Sequence, residues 1–220
     1  MILILIKTLI QHQNVEFVGG IKLSFEQLSL TITIEDIKSK LKLSISPRRY
    51  KHSESVMEVA VKLAKKYGAD VNKATIAGLL HDCAKGRTEM ELIELCKKFN
   101  IQIDEYKKMH PELLHSEVGA FIAKTDYGIE DQEILNAVRY HTMGRENMSL
   151  MEKIIFIADY IEPGRKFSGV EAIRKLAYND IDKSILKALD TTLVHLIKIG
   201  GIIHPDTIKT RNYFLSMTLQ

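Results

Sequence analysis

Six side chains, all imidazoles or carboxylates, are spread along the chain in a pattern that suits a metal centre: His52, the adjacent His81 and Asp82, His115, His141 and Asp159. From His52 the successive gaps are 29 to His81, 34 to His115, 26 to His141 and 18 to Asp159. Each gap accommodates one helix and its connection, so several helices can aim these groups at one interior point. Asp159 is the most informative. It follows Ile154, Ile155, Phe156, Ile157 and Ala158, so its carboxylate is expected in an apolar setting. An ionised carboxylate there is costly unless a cation or charged partner offsets it. Asp82 poses the same problem behind Gly78, Leu79 and Leu80. Either aspartate alone is equally well explained by a hydrogen bond to an imidazole inside the core. All six together favour a cation. Mixed imidazole and carboxylate donors suit a first-row divalent ion such as iron, manganese, cobalt, nickel or zinc, whereas oxygen donors alone would suit magnesium.

The elements that must position these residues read as helices. Val56, Val59, Ala60, Leu63 and Ala64 recur at helical spacing, Lys62, Lys65 and Lys66 fall opposite, and Gly68 ends the run. Before it, Ile37, Leu41 and Leu43 lead to a break at Ser44–Pro47. Asn72 is the expected cap of the next helix, which carries Ala77, Leu79 and Leu80 to His81. Further helices are expected at about 89–99, 116–125, 130–141, 149–161, 168–177 and 180–199. The segment Gly200 to Thr207 reads as a loop between helices. Alternating strand patterns are missing after residue 34, so residues 34–220 are expected to form one all-α bundle. Residues 1–33 are an extension of uncertain structure. Their apolar start, MILILIKTLI, is broken by Lys7 and too short to span a bilayer, which takes about 20 residues. It lacks a basic leader and a cleavage site.

Composition narrows the functional classes. There are 31 basic and 28 acidic residues, a net charge of +3, which argues against a nucleic-acid groove or a membrane-surface binder. Two cysteines exclude a disulfide scaffold and a four-cysteine zinc site, and fit a cytoplasmic, reducing setting. Cys83 and Cys96 are expected as buried thiols, and Met143, Met148 and Met151 as core filler. His12 lies in the extension, His110 reads as a loop residue before Pro111, and His195 as a core or interface histidine. The helix around His195 offers a face for a homodimer.

The stretches RRYKHSESVMEVAVKLAKKYGAD, AGLLHDCAKG, LLHSEVGAFIA, AVRYHT, IIFIADYIEPGRKF and IHPDTIKTRNYF resemble the HD-domain metal-dependent phosphohydrolase superfamily, in particular its bacterial YqeK branch of symmetrical diadenosine tetraphosphatases. The resemblance runs from about Glu35 to Phe214. Cys83 departs from it, standing where many relatives carry an aromatic, and residues 1–33 have no counterpart. The resemblance implies an HD-domain helical bundle with His52, His81, Asp82 and Asp159 as core metal ligands, iron foremost. It implies that His115 and His141 either hold a second ion, with Asp82 bridging, or face phosphates. It implies catalytic roles for Asp82, Lys85, His115, His141 and Arg165. Nucleotide contacts would come from Asp82, Cys83, Ala84, Lys85, His115, His141, Asp159, Arg165, Ile202, Ile203, His204, Pro205, Asp206 and Thr207. The implied reaction cleaves diadenosine tetraphosphate into two ADP. The rivals are another HD nucleotide phosphohydrolase, a nucleotidase or deoxynucleotide phosphohydrolase, and a non-catalytic sensor that binds metal and nucleotide. Taken without the resemblance, Lys85 is a helix-end lysine facing the macrodipole and Arg165 a solvated surface arginine.

Overall fold

The computed structural model describes residues 32–219. Most of residues 1–33, with the β-leaning stretch around Leu28 and His12, lies outside them. The described chain is helical, with no strand among the described residues. Helix α1 (Ile34–Ser44) starts at a reciprocal cap in which Thr33 accepts from the Asp36 amide and Asp36 accepts from the Thr33 amide. Helix α2 (Pro47–Tyr67) starts behind Ser46 with Pro47 in its first turn and stops at Gly68, whose φ of 72° is the left-handed conformation glycine tolerates. Helix α3 (Val71–Leu80) is capped by Asp70, not by Asn72: the Asp70 carboxylate accepts from the Lys73 amide at 3.0 Å. Asp70 has the extended backbone a cap needs, and Asn72 is already inside the helix. Helix α4 (Glu89–Lys98) follows another reciprocal cap, Thr88 with Glu91.

Next come a five-residue helix α5 (Glu105–Met109) and a 3-10 turn (Pro111–Leu114), in a stretch without a readable period. Then follow α6 (His115–Tyr127), α7 (Gln132–Tyr140), α8 (Leu150–Ile161), α9 (Val170–Ala177), α10 (Ile181–Lys198) and α11 (Pro205–Thr218). The segment read as a loop from Gly200 to Thr207 is therefore divided. Pro205 opens α11, so Pro205, Asp206 and Thr207 are its first turn, and His204 caps it. Proline suits that position because its missing amide is unpaired there in any helix.

Helix α8 is the central element. It packs on α2, α3 and α7, with α9 and α10 over its remaining side. Ile154, Ile155 and Ile157 are fully buried in it, as are Leu79 and Leu80 of α3. Each such side chain stabilises the fold by roughly 1.5–3 kcal/mol, which locks the helix ends that carry the polar residues. Met148 and Met151 are buried, Met143 nearly so, and both cysteines are buried thiols. Burial pushes the Cys83 thiol up to about 12 and the Cys96 thiol to about 11, so both stay protonated. His195, expected in the core or at an interface, is not in the core: it lies on an exposed stretch of α10 with Val194 and Ile197. Among the described residues no helix is long and apolar enough to cross a membrane.

Candidate metal centre

Three of the four imidazoles are aimed by one local device. His81 and His141 follow the last residues of α3 and α7, and His115 opens α6. In each, Nδ1 meets the backbone carbonyl three residues earlier: Gly78 at 2.8 Å, Val138 at 2.7 Å and Glu112 at 2.5 Å. A carbonyl can only accept, so Nδ1 carries the hydrogen and Nε2 keeps a bare lone pair. His52, on α2, uses a side chain instead: its Nδ1 faces Glu162 Oε1 at 3.3 Å. That carboxylate is buried and also accepts from the Gly164 amide at 2.5 Å.

The four Nε2 atoms surround Asp82. Its Oδ2 stands 3.6 Å from His52 Nε2 and 3.5 Å from His81 Nε2. Its Oδ1 stands 3.3 Å from His115 Nε2 and 3.5 Å from His141 Nε2. Asp159 Oδ1 completes the first half, 3.0 Å from His52 and 3.9 Å from His81. Within each half the two nitrogens are 3.3 Å and 3.2 Å apart. Lone pairs facing each other at that distance repel unless an electrophile lies between them. The donors thus fit a divalent first-row cation by chemistry and spacing, and their outer nitrogens are held by hydrogen bonds, as ligand imidazoles require. All six residues singled out by type and spacing are brought together.

The site favours positive charge. Burial alone would raise the Asp82 pKa, but the Coulomb pull of His81 and hydrogen bonds donated by His115, His141 and His81 take it well below the usual carboxylate range, a role that a cation takes over where the Nε2 atoms are bare. Asp159 behaves likewise: burial opposes ionisation, and His52, His81 and Arg165 overcome it. Burial lowers the His115 pKa, only partly resisted by Asp82, which keeps this imidazole a neutral donor.

Cations ring the carboxylates. Arg49 Nη1 donates to Asp82 Oδ2 at 2.6 Å. Sequence reasoning missed this residue, although its place three positions before His52 puts both on one helix face. Arg165 donates to the Asp159 carboxylate and, through Nε, to the Asp159 carbonyl at 2.9 Å. It is thus a bound clamp and not the solvated arginine its loop position suggested. Arg174 holds that loop from below, donating to the carbonyls of Ile161, Glu162 and Arg165 at 2.8 Å each. Lys85 is not on a continuing helix, because α3 has ended. A turn, Lys85 N to Asp82 O at 2.9 Å, brings its Nζ within 3.2 Å of His115 Nδ1. Burial lowers its pKa despite the pull of Asp82. A cavity of about 760 Å³ opens over His52, lined on one side by Arg48, Arg49 and Lys51 and on the other by Arg165 and Lys166.

The other residues expected to contact nucleotide differ in exposure. Cys83 and Ala84 are buried, and Cys83 Sγ reaches the Gly119 carbonyl at 3.4 Å. Their side chains point into the core, so only their backbone is left to meet a nucleotide. His204 is buried, its Nδ1 accepting from the Asp206 amide and its Nε2 facing Asp104 at 3.1 Å. Thr207 is buried and Ile202 exposed. His110 pairs with Glu112 at 2.8 Å.

The turn after His141 is also closely held. Gly144 has a φ of 69°, and an added Cβ would stand 2.6 Å from Thr210 Cγ2 on α11. Gly144→Ala is therefore expected to destabilise the fold by roughly 1–3 kcal/mol, read as a lowered urea midpoint at unchanged slope.

Comparison with known proteins gives a consistent picture. Residues 49–164 match the HD domain family. The chain is 39% identical over 182 residues to the symmetrical bis(5'-nucleosyl)-tetraphosphatase of Bacillus subtilis, covering 83% of this chain and 97% of that protein. It is 44% identical over 175 residues to the protein of the same name from Halalkalibacterium halodurans, covering 80% and 93%. A 1.50 Å crystal structure of an HD superfamily hydrolase from Clostridium acetobutylicum, described as involved in NAD metabolism, superposes with a TM-score of 0.82 at 45% identity. It covers 84% of this chain and 98% of that one.

Proposed function

Since the chain belongs to the HD-domain family, we propose that it is a metal-dependent phosphohydrolase that cuts diadenosine tetraphosphate at its centre into two ADP. The observation that carries this reading is Asp82, held between two pairs of bare imidazole nitrogens beside a basic cavity of about 760 Å³. A linear polyphosphate brings several negative charges, and the guanidinium and ammonium groups of that cavity match them. Symmetrical bis(5'-nucleosyl)-tetraphosphatase is the activity named for the relatives from Bacillus subtilis and Halalkalibacterium halodurans.

His52, His81, Asp82 and Asp159 would hold the first ion, with iron first among the first-row metals. His115 and His141, with the second oxygen of Asp82, would hold a second ion or meet the phosphates. The metal supplies Lewis acidity toward a phosphate oxygen and acidifies water. Arg49 and Arg165 would orient the phosphates and take up charge as the anhydride breaks, with Lys85 beside His115. The fixed tautomers keep every Nε2 aimed inward without reorganisation. Of the segment Ile202 to Thr207, the exposed Ile202 and the loop before His204 would line the nucleoside, because the His204 ring and Thr207 are buried.

The test is product analysis after metal-replete protein is incubated with diadenosine tetraphosphate. ADP as sole nucleotide product is the expected result. ATP with AMP would overturn the central cut. Phosphate released only from mononucleotides would assign the chain to another HD nucleotide phosphohydrolase. Intact substrate with bound nucleotide would make it a sensor.

A further inference from the structure

We propose that Asp104 is a positioning residue for the nucleotide: through the His204 ring, its carboxylate fixes the loop from Gly200 to Ile203 against which the nucleoside lies. The proposal rests on the reading that this loop meets the nucleoside, and it extends the site to α5, an element that carries no residue of the metal centre.

The loop is tied at its two ends. At the first, the Gly201 amide donates to the Leu196 carbonyl at 2.8 Å, closing the end of α10. At the second, the Asp206 amide donates to His204 Nδ1 at 3.1 Å, which caps α11. Between them, Ile202 and Ile203 make no backbone-to-backbone hydrogen bond among the described residues. Where the loop lies therefore depends on where His204 is held.

Because Nδ1 accepts, the imidazole hydrogen is on Nε2, and that N–H donates to Asp104 Oδ2 at 3.1 Å, across 100 residues of sequence. Histidine is not among the favoured helix caps; serine or asparagine would accept from the Asp206 amide as well. What the imidazole adds is a second nitrogen, and Asp104 is what it reaches. Asp104 is itself fixed. Its Oδ1 accepts from the Lys107 amide at 2.8 Å, capping α5, and the Lys107 ammonium stands 3.2 Å from Oδ2. Lys107 is buried, and its Nζ donates to Glu117 Oε1 at 2.6 Å. Burial opposes ionisation of Asp104, but the Lys107 amide, the His204 ring and the Lys107 ammonium bring its pKa down to about 2, so the acceptor is charged at neutral pH.

Both ends of this chain of contacts reach elements of the metal centre. Glu117 lies in the first turn of α6, which His115 opens. Thr210, on the helix that His204 caps, lies against Gly144 in the turn after His141. The tie between α5, α6 and α11 thus sets the distance of the loop from the centre, and a shift on the order of 1 Å suffices to weaken a productive contact.

Two substitutions remove the bridge and keep the caps. Asp104→Ser can still accept from the Lys107 amide, and His204→Asn from the Asp206 amide, but neither reaches across. In metal-replete protein each is expected to raise the KM for diadenosine tetraphosphate, and the Kd for ADP by titration, about five- to tenfold. The kcat should change by less than about twofold, because the loop holds substrate and transition state alike, and Mn²⁺ binding should match wild type. The double variant should be no worse than the worse single one, since both changes remove one shared contact. A residue that only stabilises the fold would lower the urea midpoint and leave KM and Kd where they were. Unchanged KM and Kd in Asp104→Ser, additive losses in the double variant, or a fall in kcat at constant KM would each overturn the proposal. If wild type leaves diadenosine tetraphosphate intact, the reaction reading fails, and ADP titration alone still decides the role of Asp104. If wild type binds no ADP, the nucleoside reading and the proposal fall together.

Discussion

Asp82→Ala lowers turnover by at least about a thousandfold, on the order of 4 kcal/mol of transition-state stabilisation, and the purified variant carries little metal. Asp82 is the side chain that faces both halves, with Oδ2 toward His52 and His81 and Oδ1 toward His115 and His141. Removing it leaves four inward lone pairs with no anion between them. It also frees Arg49, whose guanidinium loses its 2.6 Å partner and remains as a positive charge where a cation must enter. The fold should persist, because Asp82 sits at a helix end and the apolar contacts of Leu79 and Leu80 are untouched. Asp82→Asn keeps the shape and removes the charge, so it separates the two contributions. Turnover should fall almost as far as in the alanine variant. The check is elemental analysis beside initial rates of ADP release, with circular dichroism as the control on folding. An active Asp82→Ala protein with its full metal content would show that the convergence of these residues is not the reaction centre.

The second large effect is expected from a residue with no chemistry at all. Gly78→Ala should destabilise the protein by about 1–3 kcal/mol and weaken metal binding. At Gly78 the backbones of α2 and α3 nearly touch: an added Cβ would lie 2.7 Å from Met57 Cα, 3.1 Å from its nitrogen and 3.3 Å from its Cβ. Two of those three atoms are backbone, so no rotamer change relieves the overlap and α2 must move outward. Alanine gains roughly 0.8–1 kcal/mol over glycine as a helix former, which offsets only part of the cost. His52 rides on α2 and His81 ends α3, with their Nε2 atoms 3.3 Å apart. Spreading the helices parts the first-half ligands directly. Urea denaturation with and without metal would reveal both effects, the stabilisation by metal shrinking in the variant. A Gly78→Ala protein as stable as wild type, with equal metal affinity, would show that the helices do not cross so closely.

Much of this was readable beforehand, for a physical reason. Burial imposes a period, so the stripe of Val56, Val59, Ala60, Leu63 and Ala64 marked α2 as a helix. Titratable groups in apolar text are costly, so Asp82 and Asp159 stood out. What escaped notice depends on geometry rather than residue type. Arg49 and Asp104 belong to common classes, and only the fold shows that a guanidinium meets Asp82 and a carboxylate meets the His204 ring. The five-residue α5 is too short to show a period. Asp70 and Asn72 are both good caps, and the choice between them fell to backbone conformation. His204 carried a nucleotide expectation from resemblance, yet its ring is engaged in capping α11 and facing Asp104, which leaves the loop before it as the free surface.

One consequence follows from the way His81, His115 and His141 borrow a carbonyl three residues back. Their aim is tied to intact helical ends, so any breathing of α3, of α7 or of the 3-10 turn that leads into α6 turns a ligand away. Occupancy of the centre and fraying of these termini are then opposed equilibria. Loading with metal should slow amide hydrogen exchange at those termini more than along the mid-helix core, and agents that loosen helix termini should hasten metal release before the bundle melts.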